Sequence, residues 1–371
     1  MKKLLFAAVS LDVGGIETAL VTLLNYLAQN KKYDITLVLE RKEGIFLDLL
    51  NTDIKVIEYT PDNNRNVLVR KIKNLIKQIK FKSKYKNQYD FSASYATYSK
   101  PASFVARTAS KNSALWCHMD YLAQYNNDKK QVREFFKDLH YNKFKKLVFV
   151  SEKSKDTFLQ VFPKMKENVI HINNFINDKE LLEKANEKIN ETELLKNDNS
   201  VIFLNVGRHD EKQKKLSRII EATKILKQDE SVNKAFKVIF IGDGQDTKKY
   251  KDLIKKYNLE DTIYFLGRKK NPYPYFEKAN YVLLTSDYEG SPVVFTEAMI
   301  LNVPIITTDV AGTEQLQDKY GVITTNKVED IAETMKNAIK QQYVLKEQFD
   351  SEKYNQTIKK QIAELIEKEE L

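Results

Sequence analysis

Two glutamates, Glu289 and Glu297, stand eight positions apart in the segment "EGSPVVFTEAM", which follows the apolar run "YVLL". The Gly-Ser-Pro sequence between them predicts the start of a helix, because serine is a common N-cap and proline suits the first helical position. The amides of Val293 and Val294 would open this helix without intrahelical partners and would form a cradle for phosphate. The spacing therefore predicts one carboxylate on each side of an anion site.

The distance along the helix from its start to Glu297 indicates which anion the segment would bind. Glu297 follows Pro292 by five residues, which is about 7.5 Å along a helix axis at about 1.5 Å per residue. That distance is near the span from a diphosphate to the hydroxyls of its ribose. Glu289 would lie on the other side of the amides, toward the group that the diphosphate carries. The segment therefore indicates a nucleotide with a sugar at its far end.

A basic loop, "NVGRHDEKQKKLSR", follows another apolar run. Arg208 and Lys214 stand six residues apart in it, where a guanidinium fork and a mobile ammonium could hold two phosphates. The same lysine-rich sequence is also typical of a solvated charge run.

A third loop, "VGGIET" over residues 13–18, follows the first apolar run. Its paired glycines either let the backbone approach an anion at a helix start or simply make a tight turn. No G-x-G-x-x-G pattern occurs here or in "IGDGQD", so the sequence does not predict NAD binding.

The alternation of short apolar runs with helical patterns predicts the fold that would position these loops. The runs of the first half are "KLLFAAV", "ITLVLE", "IKVIEY", "FSASYA", "ALWCH" and "KLVFVS", and those of the second half are "VIFLNVG", "KVIFIGDG", "IYFLG", "YVLLTS", "VPIITTD" and "GVITT". This rhythm is typical of βαβ units on a parallel sheet. At 371 residues the chain exceeds the usual size of one core, so two domains are expected.

The predicted fold class is α/β, with two Rossmann-like doubly wound domains facing across a cleft. The expected division is a first domain over 1–172, a linker over 173–200, a second domain over 201–345 and a C-terminal helix over 346–371 that could cross back to the first domain. Ligands of such sheets lie beyond the carboxyl ends of the strands, where all three loops fall.

The second domain resembles that of retaining glycosyltransferases of the GT-B architecture, sequence family 4. That family has two glutamates separated by seven residues, here "GSPVVFT", in order with "VGR" and Lys214, "IGDG", "FLG" and "VPIITTDVAGTEQL". The likeness covers residues 201–320. One departure is Lys215, because the family usually has glycine after the loop lysine, and this leaves the local turn geometry open.

The resemblance implies a role for each matched residue. Arg208 and Lys214 would neutralise the diphosphate of the donor. Glu297 would bind the ribose hydroxyls, and Glu289 would face the donor sugar and position it. The other donor contacts that it implies are Gly207, Gly242, Asp243, Gly244, Gly267, Arg268, Gly290, Ser291, Pro292, Val293 and Val294.

The first domain resembles the family less closely. Gly14, Gly15 and Glu17 match its glycine-rich loop, and His118 in "LWCHMD" stands where the family has a histidine near the donor sugar. A single histidine at a strand end is also common as a structural residue, so that alternative stays open. The histidines that match nothing are His140, His171 and His209.

Neither a metal nor another cofactor is expected. The sequence has no Asp-x-Asp, which is the diphosphate-metal ligand of the other large glycosyltransferase architecture, and no His or Cys cluster at ligand spacing. Arg208, Lys214 and the helix amides would carry the charge of the leaving group instead.

The net charge of +10 is concentrated in the first half, where residues 1–172 hold 30 Lys and Arg against 17 Asp and Glu. The asymmetry indicates an anionic partner for that half. The segment from Arg65 to Lys86 has nine basic residues and no acidic one, with Leu68, Ile72, Leu75 and Ile79 at helical spacing. It could dock on its own sheet, lie on an anionic membrane surface, or do both. Nucleic acid is not expected, because few aromatics are interleaved to stack bases.

The location expected is cytoplasmic, and peripheral on the inner face of the plasma membrane if the basic segment binds lipid. The single cysteine, Cys117, excludes an internal disulfide framework. The opening "MKKLLFAAVS" has too short an apolar run for a signal peptide and is interpreted as a first strand. No apolar segment approaches the roughly 20 residues of a membrane span.

These observations predict a retaining, metal-independent glycosyltransferase that moves a sugar, most simply a hexose, from a nucleotide-diphosphate sugar to a lipid-linked or cell-envelope glycan, with UDP as the expected nucleotide. The alternatives are a nucleotide-sugar epimerase or phosphorylase on the same frame, and a non-catalytic lipid-binding module.

Overall fold

The computed structural model describes residues 1–12, 14–189, 191, 194–195 and 199–367. Val13 of the glycine-rich loop, residues 190, 192–193 and 196–198 of the expected linker, and residues 368–371 of the expected C-terminal helix lie outside the described residues. The chain forms two compact units. Unit 1 comprises Met1–Ile176 with Asn355–Leu371, and unit 2 comprises Asn177–Tyr354.

Unit 1 is built on a parallel sheet of seven strands, counted over the described residues. The strands are β1 (Lys2–Ala8), β2 (Tyr33–Leu39), β3 (Lys55–Glu58), β4 (Phe91–Ser94), β5 (Ser113–Cys117), β6 (Lys146–Phe149) and β7 (Val169–His171). Their order across the sheet is β3-β2-β1-β4-β5-β6-β7. The helices are α1 (Gly15–Gln29), α2 (Val67–Tyr85), α3 (Lys100–Ala109), α4 (Tyr121–Gln124), α5 (Lys129–Asp138) and α6 (Glu152–Val161).

Unit 2 has a parallel sheet of six strands within the part of the chain that is described. The strands are β8 (Val201–Val206), β9 (Phe236–Ile241), β10 (Ile263–Gly267), β11 (Tyr281–Leu284), β12 (Ile305–Thr308) and β13 (Gly321–Thr324), in the order β10-β9-β8-β11-β12-β13. The helices are α7 (Asp178–Ala185), α8 (Leu216–Gln228), α9 (Thr247–Lys256), α10 (Tyr273–Phe276), α11 (Val293–Ile300) and α12 (Val328–Lys340). A last helix, α13 (Ser351–Glu367), begins in unit 2 and ends in unit 1.

The strands form where the sequence has short apolar runs, because strands covered by helices on both faces bury nearly every side chain. In β8, for example, Phe203 and Leu204 point to opposite faces and are both fully buried. The predicted α/β class with two doubly wound sheets is therefore confirmed. The prediction missed β7, an edge strand whose sequence, "VIH", is too short to show a pattern.

The strand order reverses once in each sheet, and this fixes where ligand-binding loops can meet. In unit 1 the reversal lies between β1 and β4, and in unit 2 it lies between β8 and β11. Adjacent parallel strands that lead away in opposite directions leave a crevice between the loops at their carboxyl ends. The basic loop after β8 and the glutamate loop after β11 both end at the crevice of unit 2.

Candidate active site

The loops after β8 and β11 are joined directly by an ion pair. The ammonium of Lys214 lies 2.5 Å from Oε1 of Glu289, and the amide of Asp287 donates to the carbonyl of Gln213 at 2.8 Å. Arg218, in the first turn of α8, donates to Asp287 at 2.6 Å. The structure thus brings together two predicted residues that are 75 positions apart in the chain.

Glu289 is held by several donors. Only 7 % of its side chain is exposed. Besides Lys214, the hydroxyl of Ser286 donates to Oε1 at 2.7 Å and Nε2 of Gln213 donates to Oε2 at 3.2 Å. A buried carboxylate needs such donors to offset its loss of water. Its position and its rotamer are therefore fixed by the unit itself.

Arg208 presents a more accessible cation beside this pair. Its side chain is 63 % exposed and lies 3.6 Å from a carboxylate oxygen of Asp210. Its guanidinium also donates to Oε1 of Gln213 at 3.0 Å, so Gln213 links Arg208 to Glu289. Sequence reasoning missed Gln213, although it stands between the two cations that were singled out.

Helix α11 begins one residue later than predicted. Pro292 occupies the N-cap and Val293 is the first helical residue, whereas the sequence predicted Ser291 as cap and Pro292 as first residue. The hydroxyl of Ser291 instead accepts a hydrogen bond from the side chain of Gln315 at 2.9 Å. Proline already has the φ angle of a helix start and has no backbone N–H to satisfy, so it fits either place. The amides of Val293 and Val294 remain at the helix start, as predicted, next to the buried Gly290.

Glu297 lies in the second turn of α11 and is 8 % exposed. Burial raises the pKa of its carboxyl from 4.5 to about 7, although a hydrogen bond from Tyr273 acts in the opposite direction. The Tyr273 hydroxyl donates to Oε1 at 3.2 Å, and the nearby Glu297 charge raises the pKa of Tyr273. Tyr273 was not predicted, because it lies 24 residues away on α10.

Gly207 and Gly242, which follow β8 and β9, and Gly267, which ends β10, interlock through their backbones. Gly242 has a φ of +140°, and a Cβ there would lie 1.8 Å from the carbonyl oxygen of Gly207, so only glycine fits. The Gly242 amide donates to the carbonyl of Gly267 at 2.9 Å. Arg268 and Asp243 lie beside them, with Nε 3.8 Å from a carboxylate oxygen. These predicted nucleotide contacts therefore form one cluster at the ends of three neighbouring strands.

His209 supports this cluster from behind. It is fully buried, and its Nδ1 lies 2.8 Å from the hydroxyl of Thr247. A Cβ at Gly244 would lie 2.3 Å from the carbonyl oxygen of His209, so the two loops touch through their backbones. His209, one of the three histidines that matched nothing in the resembling family, is thus a packing residue of the glycine cluster.

Lys215 adopts the backbone conformation that glycine favours. It is the N-cap of α8, with φ 52° and ψ 45° in the left-handed region. Its ammonium lies 3.7 Å from Asp287. The departure from the family pattern therefore leaves the turn intact, with lysine in a conformation that is costly for residues other than glycine.

In unit 1, the predicted glycine-rich loop leads into α1. Gly14 is the N-cap, Gly15 is the first helical residue and Glu17 lies in the first turn. The hydroxyl of Tyr98, from the loop after β4, donates to Glu17 at 3.3 Å. The loops on either side of this sheet's strand reversal therefore meet at Glu17.

His118 follows β5 and is 7 % exposed. Its ring centroid lies 4.6 Å from that of Tyr95, and burial lowers the pKa of the imidazole to about 3. Its Nε2 has no hydrogen-bond partner among the described residues. A neutral imidazole whose Nε2 has no partner can accept or donate one hydrogen bond to a ligand. The structure is therefore compatible both with a role of His118 near the donor sugar and with a structural role.

Comparison with known proteins shows what this chain is similar to. Residues 186–361 match the family model described as glycosyl transferases group 1. An N-acetylgalactosamine-N,N'-diacetylbacillosaminyl-diphospho-undecaprenol 4-alpha-N-acetylgalactosaminyltransferase of Campylobacter jejuni is 25 % identical over 87 % of this chain and 86 % of its own length. An uncharacterized glycosyltransferase of Methanocaldococcus jannaschii is 33 % identical, but that match covers 30 % of this chain and only 26 % of the archaeal protein.

The fold is shared with solved structures. Anabaena HepE, in complex with UDP and glucose, superposes with a TM-score of 0.75 and 18 % identity over 98 % of this chain and all of that one. WaaG, a glycosyltransferase involved in lipopolysaccharide biosynthesis, superposes with a TM-score of 0.72 and 15 % identity over 99 % of this chain and all of that one. At these identities the likeness shows the fold.

Proposed function

We propose that this chain, a glycosyltransferase with the GT-B fold, is a retaining, metal-independent enzyme that uses a nucleotide-diphosphate sugar, with UDP as the nucleotide. The sugar would pass to a lipid-linked or cell-envelope glycan. The observation that carries the proposal is the contact of Lys214 with Glu289 at 2.5 Å, beside the exposed guanidinium of Arg208.

In this proposal Arg208 and Lys214 bind the diphosphate, together with the amides at the start of α11. Lys214 would exchange part of its contact with Glu289 for a phosphate oxygen, which leaves Glu289 free to accept from a hydroxyl of the donor sugar. Glu297 would accept from the ribose hydroxyls, and the glycine cluster would admit the nucleotide against its backbone. The UDP bound by Anabaena HepE supports the choice of nucleotide.

The transfer itself forms a bond from the acceptor hydroxyl oxygen to the anomeric carbon while the bond from that carbon to the diphosphate breaks. The hydroxyl proton passes to the departing diphosphate oxygen, which lies on the same face of the sugar. The side chains named here would act by position and charge, because cations held in place stabilise the negative charge that develops on the leaving group.

In this scheme Arg208 and Lys214 would stabilise the charge of the leaving diphosphate, as a metal ion does in other glycosyltransferases. In the described part of the chain, no group of three His, Cys, Asp or Glu side chains is arranged to hold a metal ion. We expect turnover to be unchanged by a chelator.

The acceptor is proposed from the names of similar proteins. The Campylobacter jejuni relative acts on a diphospho-undecaprenol substrate, and a second relative at 25 % identity is a capsular polysaccharide biosynthesis glycosyltransferase of Staphylococcus aureus. An acceptor of this kind would place the enzyme at the cytoplasmic face of the plasma membrane.

The proposal is tested first with a panel of nucleotide sugars, screened by thermal shift and then by donor hydrolysis. A ligand that binds only the folded state raises the free energy of unfolding in proportion to the logarithm of one plus the ratio of its concentration to its Kd. The donor found in this way is then used with the variant Lys214→Ala, which should lower turnover by about 10²- to 10³-fold, the usual effect of losing one transition-state contact.

Lys212→Ala is the matched control, because Lys212 is an exposed lysine of the same loop. Its turnover should equal that of the unchanged enzyme. Since Lys214→Ala leaves the buried Glu289 without its ion-pair partner, the melting temperature of each variant is measured too, and Lys214→Arg serves as the conservative variant. Equal turnover in the Lys214→Ala and Lys212→Ala enzymes would contradict the proposal, and so would conversion of the donor to an epimer without release of nucleoside diphosphate.

A further inference from the structure

Helix α2 is attached to unit 1 by one face only. Phe81 is its single buried residue among those described, and its ring packs at 5.2 Å from that of Tyr59 and 6.0 Å from that of Phe104. On the same face, Asn74 exchanges two hydrogen bonds with the backbone of Asp62, at 2.7 and 3.1 Å. This inner face therefore fixes which side of α2 points to solvent.

The outward side of α2 is apolar. We call the residues Leu68, Ile72, Leu75, Ile76 and Ile79 the stripe, and they are 71, 58, 56, 47 and 57 % exposed. They recur at i, i+4, i+7, i+8 and i+11, so they share one helix face. The sequence left open whether the helix docks on its own domain, and it does so, but through Phe81 and not through the stripe, which faces outward. Scattered apolar side chains on a surface are normal, but a contiguous exposed set marks an interaction surface.

Lysines border the stripe on both sides. At 100° per residue, Lys71 and Lys82 lie along one edge, while Lys73, Lys80 and Lys84 lie along the other. The segment from Arg65 to Lys86 contains no acidic residue. The outward surface of α2 is therefore an apolar band between two rows of positive charge.

We propose that the stripe and its bordering lysines dock on the surface of an anionic lipid bilayer. The apolar side chains would enter the boundary between headgroups and acyl chains, and the lysines would meet the lipid phosphates. Long lysine side chains can place their methylene stems against apolar surface while their ammonium groups reach the headgroups. This inference extends the proposed function, because a lipid-linked acceptor would lie in the same bilayer.

The charge pattern favours a bilayer over a second copy of this chain. Two α2 helices packed stripe to stripe would bring their lysine rows together without a carboxylate on either helix, which is unfavourable. The helix also lies on the membrane rather than across it. Within the described residues no helix has the length and apolarity to cross a bilayer.

The test uses the full chain with vesicles of phosphatidylcholine, alone or mixed with phosphatidylglycerol, and measures binding by co-sedimentation. The unchanged protein should bind the mixed vesicles and should bind the neutral ones at least about tenfold more weakly. The variant Leu68→Gln/Ile72→Gln/Leu75→Gln/Ile79→Gln should lose at least about tenfold in binding to the mixed vesicles, because the band that enters the bilayer is gone. Leu182→Gln/Val344→Gln, which changes exposed apolar residues of unit 2, should bind as the unchanged protein does.

A second variant separates charge from apolarity. Lys73→Gln/Lys80→Gln/Lys84→Gln should weaken binding to mixed vesicles and make it less sensitive to salt. The control Lys234→Gln/Lys255→Gln/Lys327→Gln removes the same charge from exposed positions of unit 2 and should have little effect. Full binding by the stripe variant, or equal binding of the unchanged protein to both kinds of vesicle, overturns the proposal. A dimer of the unchanged protein that the stripe variant abolishes in sedimentation velocity would also overturn it, in favour of a second copy.

The outcome is independent of the enzymatic proposal. The stripe variant should retain the full thermal shift with the donor and the full rate of donor hydrolysis in solution, because the stripe lies outside the proposed donor site. If the unchanged enzyme hydrolyses a donor but does not bind anionic vesicles, only the membrane proposal fails. If it binds vesicles but responds to no nucleotide sugar, only the proposed function fails.

Discussion

Glu297 is a carboxyl group that burial has brought to a pKa of about 7, against 4.5 for the exposed group. The unfolded chain releases this proton near pH 4.5, whereas the folded chain keeps it until about pH 7. The folded state is therefore favoured by this group below pH 4.5, and the contribution is lost progressively as the pH rises to about 7. Above that pH the free enzyme bears an ionised carboxylate in a poorly solvated place, which a ribose hydroxyl would help to satisfy.

The variant Glu297→Gln has no such titration. Its free energy of unfolding, measured with urea, should gain about 3 kcal/mol relative to that of the unchanged protein between pH 4.5 and pH 8, from about 1.4 kcal/mol per pKa unit. Glu230→Gln, at an exposed position, should show no such gain. If the difference between the Glu297 variant and the unchanged protein is the same at both pH values, the carboxyl titrates normally and this account of Glu297 is wrong.

Individual side-chain contacts are also the feature that the sequence predicted least completely. Arg208, Lys214 and Glu289 could be singled out because they follow strands and have the right chemical types, and the structure brings them into contact directly or through Gln213. Gln213 could not be found in this way, because its importance depends on the meeting of two loops that are 75 positions apart in sequence. Contacts of that kind are decided by the sheet order and not by local spacing.

Among the elements, helix α8 begins at an unusual residue. Lys215 pays a conformational cost of about 1–2 kcal/mol for its left-handed backbone, which glycine would not. The contact with Asp287 at 3.7 Å offsets only a part of this, and Asp287 keeps its closer partner Arg218.

Lys215→Gly should therefore raise the free energy of unfolding by about 0.5–1 kcal/mol, after allowance for the greater freedom of glycine in the unfolded chain. Lys215→Ala loses the same ion pair but keeps the strained backbone, so it is the matched control and should be less stable than the glycine variant. Urea unfolding of both proteins decides the point. An alanine variant as stable as the glycine variant would show that the backbone of Lys215 carries no strain.

Elements were more predictable than side-chain contacts. The strands of unit 2 begin and end within three residues of their apolar runs, because a strand covered by helices must be apolar along its whole length. The start of α11 was placed one residue early, since Ser291 and Pro292 each suit more than one position at a helix start. The outward direction of α2 could not be predicted at all. A stripe at helical spacing has the same pattern whether it faces a core or a partner, and the packing of Phe81 and the hydrogen bonds of Asn74 distinguish the two cases.

At the scale of the whole molecule, the chain leaves unit 1 once and returns to it. Helix α13 carries the buried residues Ile358, Ile362, Leu365 and Ile366 into unit 1. There the side chain of Gln361 donates to the carbonyl of His171 in β7 at 3.2 Å, and Asn355 donates to the carbonyl of Ile176 at 2.9 Å. The last segment in sequence is thus part of the first unit.

Ile362→Ala should consequently destabilise unit 1 by about 2–5 kcal/mol, because it leaves a cavity in a packed interface. Hydrogen exchange followed by mass spectrometry should show faster exchange in peptides from β1 to β7. Ile339→Ala, at an equally buried position of α12, is the control and should accelerate exchange in unit 2. Faster exchange confined to unit 2 in the Ile362 variant would be incompatible with this division.

Because the C-terminal helix belongs to unit 1, the division of the chain also determines how donor specificity could be exchanged between related enzymes. The proposed donor-binding residues Arg208, Lys214, Glu289 and Glu297 all lie in unit 2, which is one continuous stretch between two parts of unit 1. A chimera that joins only the first half of one enzyme to the second half of another would pair the sheet of unit 1 with a foreign closing helix. An exchange of donor specificity between relatives is therefore best designed as a cassette with two junctions, near Ile176 and Tyr354, so that each host keeps the helix that completes its own core.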